Sequence, residues 1–175
     1  MFMKLSGLTL LFLAVASASS MTQAESPREV FTPQAGFDGS SEGNGTLRLL
    51  VGKQRPFHVV SHGYQTSDGE FRLDQTITFQ GEAPNDRSWL LTTISGNHYR
   101  GTLSGVAGTV TGYTDGDRLV LRYRVKGPLV MHQILKLSSD GKTIDNAGTI
   151  TLLGIPVGHL RETIDRKQKS GGEEK

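Results

Sequence analysis

His58 and His62 are the first residues in this chain whose types and spacing suggest chemistry. An H-x-x-x-H pair on a helix would put two imidazoles on one face to share a metal ion. Their neighbourhood, Phe57-His58-Val59-Val60-Ser61-His62, reads as a strand. Residues four apart on a strand share a face but stand about 13 Å apart at about 3.3 Å per residue. Ligands must lie about 2 Å from the ion, so no metal site is expected. His98, His132 and His159 are isolated in sequence and read as surface or hydrogen-bonded histidines.

Asp68, Glu70 and Asp74 form the tightest acidic group and are the natural place to look for a paired acid and base. Asp68 adjoins Gly69 in a turn, however, and Asp74 falls on the polar side of a strand. No serine occupies a G-x-S-x-G elbow. The glycine-rich stretches around Gly43-Asn44-Gly45 and Gly101 to Gly112 lack the flanking strand, helix and Lys-Ser or Lys-Thr of a phosphate loop. No constellation passes a geometric test for catalysis, and no cofactor is implied. Arg100, Arg118, Arg122 and Arg124 would group on one outer or lumenal patch and suit an anionic headgroup. The plainer reading is a solvated face.

The elements that carry these residues have a period of two. Phe71, Leu73, Ile77 and Phe79 alternate with Arg72, Asp74, Thr76 and Thr78, the pattern of a half-buried strand. Leu119, Leu121, Tyr123 and Val125 alternate with Arg122, Arg124 and Lys126, and Leu129, Met131, Leu135 and Leu137 repeat the pattern. Weaker strands are read at 45–51, 57–65, 88–95, 98–103, 107–113, 143–153 and 157–164, about ten strands in all. Asp68-Gly69, Gly96-Asn97, Asp115-Gly116 and Asp140-Gly141 supply the residues that short hairpin turns require. Many short strands joined by hairpins, without a long amphipathic helix, predict an all-β fold: an antiparallel up-and-down barrel, with a β-sandwich as the alternative. A circular dichroism spectrum with more than about a third helix would contradict this.

The N-terminus has the parts of a signal peptide over residues 1–24. They are a basic start at Lys4, an apolar run from Leu8 to Val15, and Thr22-Gln23-Ala24 before Glu25. A second small-x-small site is Ala16-Ser17-Ala18. Serines, threonine and glutamine interrupt the apolar run short of the roughly 20 residues that span a bilayer. The expected product is exported, periplasmic or secreted, with no transmembrane segment after cleavage, and begins at Glu25 or Ser19. Mass measurement of the exported protein checks this, and a full-length chain retained in the membrane would contradict it. Residues 25–34 read as a leader, 35–165 as the barrel domain and 166–175 as a polar tail.

Of the charged residues only Lys4 precedes Glu25, so 18 basic and 17 acidic side chains remain, a net charge of +1. With its cations scattered among acids, the chain lacks the footprint of a nucleic-acid partner. The absence of cysteine excludes disulfides, thiol catalysis and cysteine metal sites. Stability must then come from packing and strand pairing.

Several short elements together carry a family resemblance, among them the alternating strand Phe71 to Phe79. Phe37-Asp38-Gly39 gives an early Phe-x-Gly, and Arg87-Ser88-Trp89 gives Arg-x-Trp. Tyr99-Arg100-Gly101-Thr102 is followed by Val106-Ala107-Gly108 through Gly112, and then by the basic strand with Arg122-Tyr123. The pattern, over about residues 37–164, resembles the exported bacterial family catalogued as domain of unknown function 3833. That resemblance implies a lipocalin-like barrel and no particular activity. Many family members carry an N-terminal lipoprotein cysteine, which is absent here. Many also carry Asp-Asp-Trp where this chain has Met131-His132-Gln133-Ile134-Leu135, so no site residue is carried over.

The expected ligand-binding residues are therefore the aromatic and large apolar inward positions Phe71, Leu73, Trp89, Tyr99, Tyr123 and Met131. They would line a pocket for a lipid or other apolar or amphipathic small molecule, or fill the core themselves. In the first case, replacing Trp89 or Tyr123 by Ala should weaken binding more than stability. A filled barrel would instead suit a structural or interaction module of the envelope, and an enzyme of unrecognised type is the third reading.

Overall fold

The computed structural model describes residues 30–167, so the expectations for residues 1–24 and for the tail from 168 onward lie outside the described residues. The alternation of apolar and polar side chains closes into a barrel of ten strands. They are β1 (Gly39–Leu49), β2 (Arg55–Gln65), β3 (Phe71–Phe79), β4 (Asn85–Ser95), β5 (His98–Leu103), β6 (Val110–Asp115), β7 (Arg118–Lys126), β8 (Leu129–Leu137), β9 (Thr143–Leu152) and β10 (Ile155–Arg166). Each pairs antiparallel with its neighbours in sequence, and β1 pairs with β10, from Ser41 opposite Arg166 to Leu49 opposite Gly158. Closure leaves no open sheet edge and distinguishes the fold from a sandwich.

The hairpin glycines behave as their sequence context predicts: Gly69, Gly96, Gly116 and Gly141 all take positive φ. Elsewhere glycine is needed for space. A Cβ on Gly101 would lie 1.9 Å from the Leu90 carbonyl oxygen, so β5 approaches β4 only because that side chain is absent.

The chain enters the barrel earlier than the sequence pattern indicates. Phe31 is fully buried, and a short helix, α1 (Pro33–Phe37), follows it. Thr32 caps this helix by accepting from the Ala35 amide at 3.0 Å, and Pro33 stands in its first turn, where no amide donor is missed. Phe31 and Phe37 pack with ring centroids 6.1 Å apart. The Phe31 amide donates to the Gly116 carbonyl at 2.9 Å, which fixes the segment against the β6–β7 turn. The Arg166 guanidinium reaches the Ala35 carbonyl at 2.6 Å. The helix thus closes one end of the barrel, while the β1–β2, β3–β4 and β5–β6 loops surround the other.

β1 begins six residues before the predicted start at Gly45. Its inward positions Ser41, Gly43 and Gly45 are small, so the first half carries no apolar alternation. β6 starts at Val110 rather than Ala107, because Gly105 and Gly108 take positive φ and hold the preceding segment in a loop.

Candidate binding site: a lumen divided by a polar belt

Alternation puts every second side chain into the lumen, and eight of the ten strands each contribute one polar side chain to a belt around it. Ser41 on β1, Ser61 on β2, Gln75 on β3 and Arg87 on β4 stand opposite one another in a single row. Tyr123 on β7, Gln133 on β8, Asn146 on β9 and Glu162 on β10 continue around the wall, with Asn146 opposite Glu162.

These groups are linked by hydrogen bonds. Gln75 Nε2 donates to Ser61 Oγ at 3.0 Å, while Gln75 Oε1 accepts from Arg87 Nε at 2.9 Å and from Trp89 Nε1 at 2.7 Å. The Arg87 guanidinium meets the Tyr123 hydroxyl, which donates to Gln133 Oε1 at 2.9 Å. Gln133 Nε2 donates to Asn146 Oδ1 at 3.2 Å, and Asn146 Nδ2 donates to Glu162 Oε2 at 2.8 Å. The result is an unbroken chain from β2 to β10, and its low-dielectric setting makes each link costly to break. Ser41 Oγ, fully enclosed, has no partner.

The belt separates two unlike spaces. Between it and α1 the lumen is filled by Phe37, Phe71, Leu73, Trp89, Leu91, Leu119, Leu135 and Ile164, leaving about 40 Å³. On the other side is a cavity of about 650 Å³ that opens between the loops, with walls that include Phe57, Val59, Ile77, Phe79, Met131 and Ile150. Arg87, Tyr123, Gln133 and Glu162 form its floor. Arg55 sits at the mouth, its guanidinium 4.3 Å from the Phe79 ring centroid and paired with Glu82. A cavity of this volume, with an apolar wall, a polar floor and Arg55, Glu82 and Asp86 also in its lining, has the size of a small-molecule site.

Burial sets the ionisation of the floor. It pushes the Glu162 carboxyl up, against the Asn146 hydrogen bond and the charge of Arg87. The Tyr123 hydroxyl is likewise pushed up by burial and stays protonated. Desolvation lowers the Arg87 guanidinium from a very high starting point, which leaves it a cation. The folded protein therefore holds the Glu162 proton more tightly than the unfolded chain does. Stability from this group is full below the ordinary carboxylate range and is lost as pH rises through the elevated value. The stability difference between the wild type and Glu162→Gln should accordingly fall with rising pH. Denaturant titrations from acid to neutral pH check this, and a pH-independent difference would contradict it.

Of the residues expected to line a pocket, Tyr123 and Met131 reach the large cavity. Phe71, Leu73 and Trp89 lie beyond the belt at the closed end. Tyr99 is buried in the core and walls neither space. Arg100, Arg118, Arg122 and Arg124 are all exposed on the outer face. His58 and His62 also face outward, on Asn44 and Ser40. Among the described residues no group of three His, Cys, Asp or Glu converges as a metal site.

The model of the family described as Protein of unknown function (DUF3833) matches residues 10–166. The chain belongs to that family. No curated protein sequence matches it. Among solved structures, the DUF3833 barrel is similar to an S-type phycobiliprotein lyase from Guillardia theta, with TM-score 0.61 and 10% identity over 76% of this chain and 89% of the lyase. It is also similar to a DUF3598-family protein of unknown function from Nostoc punctiforme, with TM-score 0.58 and 14% identity over 81% of this chain. The match spans 51% of that longer protein. At these identities the likeness shows the fold alone, a lipocalin-like barrel.

Proposed function

We propose that this DUF3833 protein is an exported barrel that binds one amphipathic small molecule, its apolar part against Phe57, Ile77, Phe79, Met131 and Ile150 and its polar end on the Arg87 floor. The observation that carries the reading is the 650 Å³ cavity closed at its base by a cation and open to solvent at its mouth. A barrel selected only as a scaffold would gain stability by filling that volume, because unfilled apolar space forfeits packing. It would also gain by replacing a buried cation with an apolar side chain. Arg87 offers charge-assisted donors at the floor, which favours a carboxylate or similar anion as the polar end.

The test is titration of a fluorescent fatty acid, dansyl-undecanoate, into the protein. One molecule per chain is expected to bind with a blue-shifted emission. Ile77→Trp, which pushes an indole into the cavity from its apolar wall, should weaken binding while leaving the circular dichroism spectrum unchanged. Undiminished binding by this variant would place the probe elsewhere and contradict the reading.

A further inference from the structure

The cavity mouth carries a second feature that neither the barrel nor the cavity explains. Leu50 and Val51 in the β1–β2 loop are 77% and 86% exposed, and Leu153 and Ile155 at the β9–β10 hairpin are 84% and 67% exposed. The two tips are neighbours, since the Leu50 amide donates to the Val157 carbonyl at 2.8 Å. The β7–β8 turn adjoins them, with Leu129 opposite Leu152.

The charge around these tips has one sign. Residues 43–67, 118–139 and 146–161 contain no Asp or Glu. Arg48, Lys53, Arg124 and Lys126 stand exposed beside the tips.

Leu153 adds an independent observation. It is the sole non-glycine residue with positive φ among the described residues, at +50°, and Gly154 follows at +86°. A two-residue hairpin turn of this kind is relaxed with Asn or Asp before Gly. Leucine there costs backbone energy and, left exposed, returns no burial.

We propose that this rim is a membrane-docking surface. Leu50, Val51, Leu153 and Ile155 enter the interface of an anionic bilayer, and the four cations meet its headgroups. A second copy of the chain is the poorer occupant, because it would bring the four cations of each copy together, while Glu82 and Asp86 at the mouth are already held by Arg55 and Thr76. Docking by this rim turns the cavity mouth toward the lipid. That gives an amphipathic ligand a short path between bilayer and lumen, a consequence that rests on the proposed function, although the docking does not.

Vesicle flotation tests the proposal, comparing vesicles of phosphatidylcholine and phosphatidylglycerol in equal parts with vesicles of phosphatidylcholine alone. The protein should float with the mixed vesicles at low salt, less so at high salt, and far less with phosphatidylcholine. Leu50→Ser combined with Leu153→Asn should reduce partitioning by about tenfold or more, and Lys53→Gln with Lys126→Gln by about fivefold per cation. Leu153→Asn relaxes the turn, so its melting temperature should hold or rise while vesicle binding falls. Ile77→Trp, which narrows the cavity and leaves the rim intact, should still float, which separates failure of the docking surface from failure of the cavity reading. Absence from mixed vesicles at low salt, or flotation that survives both double variants, would overturn the proposal. So would a sedimenting dimer that the leucine variants dissolve, since it would assign the rim to a second copy.

Discussion

Replacing Trp89 by Ala is expected to lower the stability of the domain by about 3–5 kcal/mol, the usual cost of truncating a buried aromatic side chain to Ala. For a domain of this size that corresponds to a melting temperature roughly 10–20 °C lower. The indole is 4% exposed and packs edge-on against Tyr123 with centroids 5.0 Å apart. Its Nε1–H also supplies one of the two donors on Gln75 Oε1, so truncation both opens a void and weakens the belt. Because Trp89 lies at the closed end, binding by the folded fraction should change little. This is the reverse of what an inward aromatic suggests from sequence alone. Thermal denaturation together with a binding titration below the transition separates the two effects. A stable variant with lost binding would place Trp89 in the ligand site.

Arg87→Met is expected to weaken binding of a carboxylate amphipath by about 10–100-fold. This follows from the roughly 1.5–3 kcal/mol carried by a hydrogen bond to a charged group. The side chain keeps most of its apolar stem, so an uncharged analogue of the same length should lose less than about threefold. The difference between the two ligands is the informative quantity. Equal losses for both would show that Arg87 shapes the floor without receiving the charged end.

Period-two alternation was sufficient to find the strands whose inward positions are apolar. Phe71 to Phe79 and Leu119 to Lys126 appear in the structure as β3 and β7. The first half of β1 was silent because its inward residues make room for others. A Cβ on Gly43 would lie 2.2 Å from Glu162 Oε1, so glycine is what admits the carboxylate to the lumen. Helix α1 spans five residues, too few to display a helical period.

Apart from Tyr123, the belt is hidden in the sequence for a different reason. Its members are polar residues on the apolar parity of their strands: Gln133 lies between Met131 and Leu135, Glu162 between Leu160 and Ile164, and Arg87 two positions before Trp89. Reading an inward face by its aromatic and aliphatic members leaves such residues out. Yet a polar side chain at an inward position is the one that must find partners. The aromatic signal leads to the closed end, where packing is dense, while the parity signal leads to the floor of the open cavity. Distinguishing them requires knowing which end α1 seals, and the sequence pattern alone does not carry that information.

The most direct test of a bound amphipath is native mass spectrometry of the protein purified from its own host without denaturation, followed by organic extraction. The predicted result is a mass excess of one small molecule per chain, released by solvent as an amphipathic anion and reduced in the Ile77→Trp variant. Repeated recovery of unloaded protein that also fails to take up dansyl-undecanoate would contradict the account and leave the cavity without a ligand of this class.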